Sequence, residues 1–321
     1  MLPEQATARS GCAPALDLRL AAARRLGCRL RSLDPETGYL WEVVRGGISR
    51  ILYGGLSPLN DALAAAIATD KFHAATLLAR AGYRVPRSAR CLQPGRFAAE
   101  EFVALTGTAP AHALAAELGA PWIVKPGHGA RGRDVMAIYD LAALDQAVAR
   151  VWRDDYLALV QETVAGVDLR IDLLDGACLI AYLRRPLRLR ADGRRSVQAL
   201  LEREGAAAQA AATGIDPSAI APAGTEIEVP GPVLNLNTAA IAEVIALPAA
   251  WLEHARGIAR ALALRHCGID LKIPALASDP ASATVIEVNA SPSLQQIALR
   301  GHRQAALAGE EKVVEAIFAS P

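Results

Sequence analysis

The sequence predicts an α+β fold of two or three lobes, and three observations predict it. The chain has 321 residues, against about 100 to 200 for an ordinary domain. Segments of helical period and segments of strand period follow one another along it, separated by glycine, proline or Asx signals. Hydrophobic residues make up 52% and charged residues 21%, a balance that supports packed cores rather than disorder.

Leu16, Leu18, Leu20 and Leu26 among alanines predict a helix over 16–25, and residues 39–44 and 48–53 read as a hairpin about Gly46-Gly47. Asp70 is placed to cap a helix with Phe72, Ala75, Leu78 and Ala79 on one face. Gly82 stops it before a strand-like 83–86, and a linker rich in Pro, Gly and Arg is expected near 91–96. A helix over 109–118, a strand over 122–125, a glycine loop, a strand over 134–139 and a helix over 141–152 form a βαβ-like middle lobe. Strands are then expected at 157–161, 169–174 and 177–183, with Asp175-Gly176 as a hairpin turn. Residues 203–232 are the least regular. A helix over 249–264 and strands over 268–273 and 283–288 complete the pattern and bring Asp270 and Glu287 together. The first dozen residues carry no pattern and are expected to fray.

Charge and cysteines narrow the class. The 34 basic and 33 acidic residues leave a formal charge of +1, so no net field draws the chain to nucleic acid or to an anionic membrane. Five cysteines are an odd number, lie far apart and form no CxxC pair, which argues against a disulfide framework or a zinc site. No apolar run is long enough to span a bilayer, and the opening MLPEQATARSG lacks the order of a secretory signal. The expected location is the cytoplasm.

Three segments carry chemistry. Lys125 to Arg133 holds three glycines and three cations in nine residues directly after an apolar strand. Glycines let backbone N–H groups turn toward an anion and the cations neutralise it, as in a phosphate-binding loop. The spacing fits neither GxxxxGK[ST] nor GxGxxG; taken alone, a basic surface turn accounts for it as well. Second, strand alternation puts Glu287 and Asn289 on one face, with Asp270 in the neighbouring strand. Such hard oxygen ligands suit Mg2+; the alternative is polar edge residues facing water. Third, Gln161 to Arg170 is a strand end, a glycine turn and a strand opening with Asp168 and Arg170. Val164 could offer adenine a backbone hinge and Asp168 a ribose contact, although a plain hairpin reads more simply.

In order along the chain stand Asp70-Lys71, the pattern KPxxGxxGR from Lys125, the Gln161 hinge, GxDxR ending at Arg170, Arg184 ahead of Pro186, Asp192-Gly193-Arg194, Asn235-Leu236-Asn237-Thr238, Asp270 and Glu287-Val288-Asn289. Across roughly residues 70–300 this order resembles the ATP-grasp superfamily. It is most similar to the ATP-grasp module of cyanophycin synthetase and of bifunctional glutathione synthetase. The resemblance implies an α+β ATP-grasp fold with nucleotide between two lobes: an N-terminal lobe over 1–68 and an ATP-grasp domain over 69–321. Within that domain the central lobe would cover about 95–160 and the C-terminal lobe about 161–321 together with 69–94.

It also implies roles. Lys71 and Lys125 would hold the phosphates of ATP, and Gly129, Arg131, Gly132 and Arg133 would close over the γ-phosphate. Gln161, Glu162 and Val164 would line the adenine hinge, and Asp168 would meet the ribose. Arg170 and Arg184, with Lys125, would orient the reacting phosphoryl group. Asp270, Glu287 and Asn289 would bind two Mg2+, with Mn2+ as a substitute. The implied reaction is ADP-forming ligation of a carboxylate to an amine through an acyl phosphate, on amino acids or short peptides. A homodimer is compatible with it, and neither nucleic acid nor membrane is an expected partner.

The chain departs from the pattern at Asp134, at Ala239-Ala240 and at Ser293, where relatives often carry glycine. The last of these turns is expected to meet the substrate carboxylate, so the substrates stay open. Two rival readings are an enzyme acting on a protein or ribosomal-peptide terminus and a nucleotide-binding regulator without turnover. His73 and His128 read as surface residues, His254 and His266 are too far apart for a zinc helix, and Cys178 and Cys267 read as core.

Overall fold

The computed structural model describes residues 14–96, 100–129, 134–204, 213–229, 236 and 240–319. The expectations for the first dozen residues, for Arg131, Gly132 and Arg133, and for Asn235, Asn237 and Thr238 lie outside the described residues.

The chain opens with α1 (Pro14–Arg25), β1 (Arg29–Ser32), β2 (Leu40–Arg45) and β3 (Ile48–Tyr53), the strands forming an antiparallel sheet in that order. Gly46 and Gly47 both take positive φ, 57° and 83°, the two-residue turn whose twist matches a hairpin. Trp41, Val43 and Leu52 alternate onto one face and join Leu16, Leu18 and Leu20 in a common core.

Next come α2 (Ala62–Thr69) and α3 (Lys71–Arg80). The Asp70 carboxylate accepts from the Phe72 and His73 backbone N–H groups and fixes where α3 begins. A second sheet follows: β4 (Ser88–Leu92), α4 (Ala109–Glu117), β5 (Trp122–Pro126), β6 (Met136–Ile138), α5 (Leu141–Val151) and β7 (Leu157–Glu162), in the order β4-β7-β5-β6. Every neighbouring pair is antiparallel. β6 and β7 therefore run the same way on either side of β5, so β6–α5–β7 is a crossover that straddles one strand.

Two expectations are corrected here. The linker foreseen near 91–96 begins only after Leu92, because Cys91 and Leu92 are buried in β4, which pairs residue by residue with β7. The strand foreseen at 83–86 is reduced to one bridge from Arg84 to Thr284, since the following proline has no N–H to continue a ladder.

The third sheet is the largest. It comprises β8 (Val167–Leu174), β9 (Ala177–Arg190), β10 (Glu226–Val229), β11 (Ala240–Val244), β12 (His266–Ile273) and β13 (Thr284–Asn289), in the order β10-β9-β8-β12-β13, with β11 also paired to β9. Asp175 and Gly176 have φ of 48° and 76° and form the predicted two-residue turn. The helices are α6 (Val197–Arg203), α7 (Ala249–Ala261), α8 (Gln295–Ile297) and α9 (Arg303–Ala319). Leu169, Ile171, Leu173, Ile269, Leu271 and Ile273 share one face and pack on Trp251 and Ile258 of α7 and on Ala74 and Leu78 of α3. On the opposite face Leu174, Ile180 and Tyr182 join the core formed with α1 and α9, and polar side chains of β8, β12 and β13 take the rest.

The hairpin reading of 161–170 is corrected as well, because β7 and β8 belong to different sheets and residues 163–166 carry the chain between them. Arg184, Arg185, Arg188 and Arg190 all lie in β9. Among the described residues no helix is long and apolar enough to cross a membrane.

Candidate active site

Strand register assembles the polar face. Arg170 of β8 lies directly opposite Asp270 of β12, and Asp270 lies opposite Glu287 of β13. One step along, Asp168 is flanked by Lys272 and Arg184. Opposed residues in adjacent strands point to the same side of a sheet, so cations and carboxylates from β9, β8, β12 and β13 gather on one face. Asp270 Oδ2 accepts from Arg170 Nη1 at 2.8 Å and Oδ1 from Arg184 Nη2 at 2.6 Å. The Asn289 amide nitrogen donates to Glu287 Oε1 at 3.1 Å, and its oxygen accepts from Arg170 Nη1 at 3.1 Å. Burial works to raise the Asp270 carboxyl, but the Arg170 and Arg184 charges and their hydrogen bonds override it and hold the group below its ordinary value.

The lysines come from the other side. Lys71 opens α3, and its backbone N–H donates to Gly127 O at 3.1 Å while Nζ donates to Gly129 O at 2.8 Å. The same Nζ stands 3.9 Å from Glu287 Oε1. Lys125, in β5, is buried. Desolvation pushes its ammonium down to about 8, with Glu287 and Asp270 pulling upward and Lys71 adding to the fall. The three oxygen-bearing side chains and the two lysines thus occupy one place, reached from two different sheets.

Around this centre, His128 donates its backbone N–H to Asp155 Oδ2 at 2.7 Å, and its ring lies 3.6 Å from Asp70 Oδ2. His73 pairs with Asp70 at 2.7 Å and is well exposed. Of the two expected surface histidines, His128 is therefore tied into the base of the glycine loop. Gly129 has φ of 102°, a conformation in which glycine avoids the strain of a Cβ.

Gln161 is buried and donates to Ser88 Oγ at 2.8 Å, while Glu162 Oε1 accepts from the Arg87 backbone N–H at 2.9 Å. Val164 stands outside any strand in the inter-sheet connection. Gly166 has φ of 129°, and a Cβ there would meet Ile273 O at 2.6 Å; the connection can pass the end of β12 only with glycine. Asp168 Oδ2 accepts from Lys272 Nζ at 2.6 Å, so it enters the site already paired.

Several site residues escaped the sequence reading. Asp172 accepts from Arg170 Nε at 3.0 Å and lies 2.9 Å from Nη2. His266, Ser57 and Ser291 form a tether, with His266 Nδ1 2.8 Å from Ser57 Oγ and the Ser57 N–H donating to Ser291 Oγ at 3.0 Å. Asp172 was legible in principle, being two residues beyond Arg170 on one strand. The Ser57 tether was not, because its partners are more than 200 positions away.

No family model matches the chain. Over 120 residues it is 30% identical to a D-alanine–D-alanine ligase of Xanthomonas axonopodis pv. citri, a stretch covering 37% of this chain and 34% of the relative. It is 29% identical over the same length to D-alanine–D-alanine ligase B of Xanthomonas campestris pv. campestris. The match thus spans about a third of the length of these curated relatives. Among solved structures, a bifunctional glutathione synthetase from Pasteurella multocida superposes with a TM-score of 0.60 at 18% identity, over 95% of this chain and 44% of the other. D-alanine–D-alanine ligase from Bacillus anthracis does so with a TM-score of 0.52 at 19% identity, over 81% and 69%.

Proposed function

We propose that this chain, which has the ATP-grasp fold, is an ADP-forming ligase that joins a carboxylate to an amine through an acyl phosphate. The observation that carries the reading is the 3.9 Å approach of Lys71 to Glu287. It sets the Lys71 ammonium, with Lys125 nearby, against a cluster of carboxylate and amide oxygens, an arrangement suited to a polyphosphate with its metal.

The donor set fits Mg2+: Asp270, Glu287 and Asn289 offer hard oxygens from adjacent strands in register. We assign them two ions, with Mn2+ as a substitute, which when bound would neutralise charge on the phosphates of ATP. Lys71 and Lys125 would hold those phosphates as compact point charges. Gly129, with Arg131, Gly132 and Arg133, would cover the γ-phosphate and keep water from the acyl phosphate. Gln161, Glu162 and Val164 would border the adenine. Asp168 would reach the ribose, exchanging part of its pairing with Lys272.

Arg170 and Arg184 would orient the phosphoryl group in transfer. Arg184 Nε is buried without a hydrogen-bond partner among the described residues, so a donor is already desolvated beside Asp270. A carboxylate oxygen attacks the γ-phosphorus and the bond to ADP breaks. The amine nitrogen then attacks the acyl carbon, phosphate leaves, and the amine gives up a proton. The chain positions and neutralises; it needs no covalent nucleophile.

We further infer amino acids or short peptides as substrates, a cytoplasmic location, and the division into a lobe at 1–68 and a two-lobed domain at 69–321. The test is phosphate release from ATP over a panel of amino acids and dipeptides, alone and in pairs. ADP should form only when an acid and an amine are both present, with an amide product; binding of ATP without turnover across the panel would instead favour a regulator.

A further inference from the structure

Arg170 is seated by two residues that the reaction itself does not require. Asp172, two positions along the same strand, receives its Nε at 3.0 Å and lies 2.9 Å from Nη2, leaving only Nη1 for Asp270 at 2.8 Å. Opposite, β12 presents Gly268. A Cβ there would fall 1.7 Å from Arg170 Nη2 and 2.4 Å from Asp172 Oδ1, so the guanidinium and its carboxylate occupy the space a side chain would fill. The pair is sealed, with Asp172 and Arg170 side chains 2% and 8% exposed.

The charge arithmetic gives this seat a purpose. Asp270 already accepts from Arg170 and from Arg184, and two guanidinium charges against a carboxylate oppose the arrival of a further cation. A bidentate carboxylate partner engages a guanidinium edge-on and neutralises it. Asp172 takes that edge of Arg170, while Arg184 makes no second carboxylate ion pair among the described residues, Asp168 acting on it only through its charge. The compensation thus acts on one of the two competitors.

On the reading of the site given above, we infer that Asp172, in the space left by Gly268, is a positioning residue that holds Arg170 in a one-bond contact with Asp270 and so keeps Asp270 available to a divalent cation. Without it, Arg170 turns its paired edge onto Asp270 and competes with the metal.

The test is calorimetric binding of the non-hydrolysable analogue AMP-PNP to the full chain across a Mg2+ titration, with the unfolding midpoint of each variant measured alongside. Asp172→Asn keeps the shape and removes the charge. It should raise the half-saturating Mg2+ concentration about 10- to 100-fold, the usual effect of losing a partner of a metal ligand. Gly268→Ala, which displaces the guanidinium while sparing the Asp172 charge, should raise it in the same direction. Adding Arg170→Gln to Asp172→Asn removes the competitor and should return the Mg2+ requirement to near the wild-type value without restoring turnover. Wild-type Mg2+ dependence in both single variants overturns the inference alone. A rise that the added Arg170→Gln fails to reverse also overturns it, by marking the role of Asp172 as structural. Failure of the wild-type chain to bind AMP-PNP with Mg2+ overturns the ligase reading and this inference together.

Discussion

Two buried ionic groups in this chain are built on opposite plans. Arg19 of α1 and Glu310 of α9 meet at 2.9 Å with both side chains 1% exposed, and Arg19 donates onward to Leu56 O at 3.1 Å. One charge answers one charge, and the pair is shut. The group formed by Arg170, Asp172, Asp270 and Arg184 has a donor to spare at Arg184 Nε and opens toward Lys125 and Glu287, the latter 23% exposed. A closed pair fastens two helices. An open cluster with an unanswered donor is desolvated at a cost that only a ligand can offset.

The contrast can be broken by substitution. Glu287→Gln should lower turnover about 100- to 1000-fold while the unfolding midpoint moves little, the usual worth of one oriented charge-stabilising group; near-normal turnover would contradict the metal assignment. Glu310→Gln should do the reverse. It leaves Arg19 charged and unpaired, at about 3–5 kcal/mol of stability in denaturant titrations, with unchanged turnover per folded molecule. Replacing both partners, by Arg19→Met with Glu310→Leu, should recover most of that loss.

pH separates the regions next. His266 is pushed down to about 3 by burial and then by Arg19 and Arg170. Its folded value lies below the ordinary 6.5, so the unfolded chain binds a proton the folded chain refuses, and stability falls as pH drops from 6.5 toward 3. The loss by pH 5 is about 2 kcal/mol, and His266→Gln should flatten that limb of the stability curve. Lys125, at about 8 against an ordinary 10.5, acts on two quantities with opposite sign. The free chain gains stability as pH rises from 8 to 10.5, because only the unfolded lysine still holds its proton. Nucleotide affinity should fall above pH 8, by about tenfold per unit at most, if the proposed phosphate contact selects the charged form. Equal slopes in Lys125→Met and the wild type would remove Lys125 from the phosphate site. Of similar size is Gly166→Ala, expected to cost about 1–3 kcal/mol by straining the inter-sheet connection; thermal unfolding unchanged from wild type would show that the connection relaxes freely.

What could be read in the sequence follows the range over which its signals act. α3 was legible because Asp70 and Gly82 mark it locally, and the hairpin at Asp175-Gly176 because its turn demands those residues. Asp270, Glu287 and Asn289 stood out as polar residues in apolar strands, and their register supplied the rest. β4 was lost because Ser88 to Leu92 has little apolar pattern of its own and owes its state to β7. The role of 163–166 as a crossing between sheets was hidden for the same reason: a turn and a crossing look alike until the flanking strands have partners. Gly268 could be seen as a glycine in a strand, but the guanidinium that fills its space comes from a residue 98 positions earlier, a separation that local sequence does not reveal.

The central claim is that this site activates a carboxylate as an acyl phosphate, and hydroxylamine tests it without knowledge of the amine. With ATP, Mg2+ and a panel of amino acids and dipeptides, hydroxylamine should trap the activated acid, giving a hydroxamate and ADP in equal amounts for at least one acid. ADP formed at the same rate with no acid present, and without hydroxamate, would contradict the account.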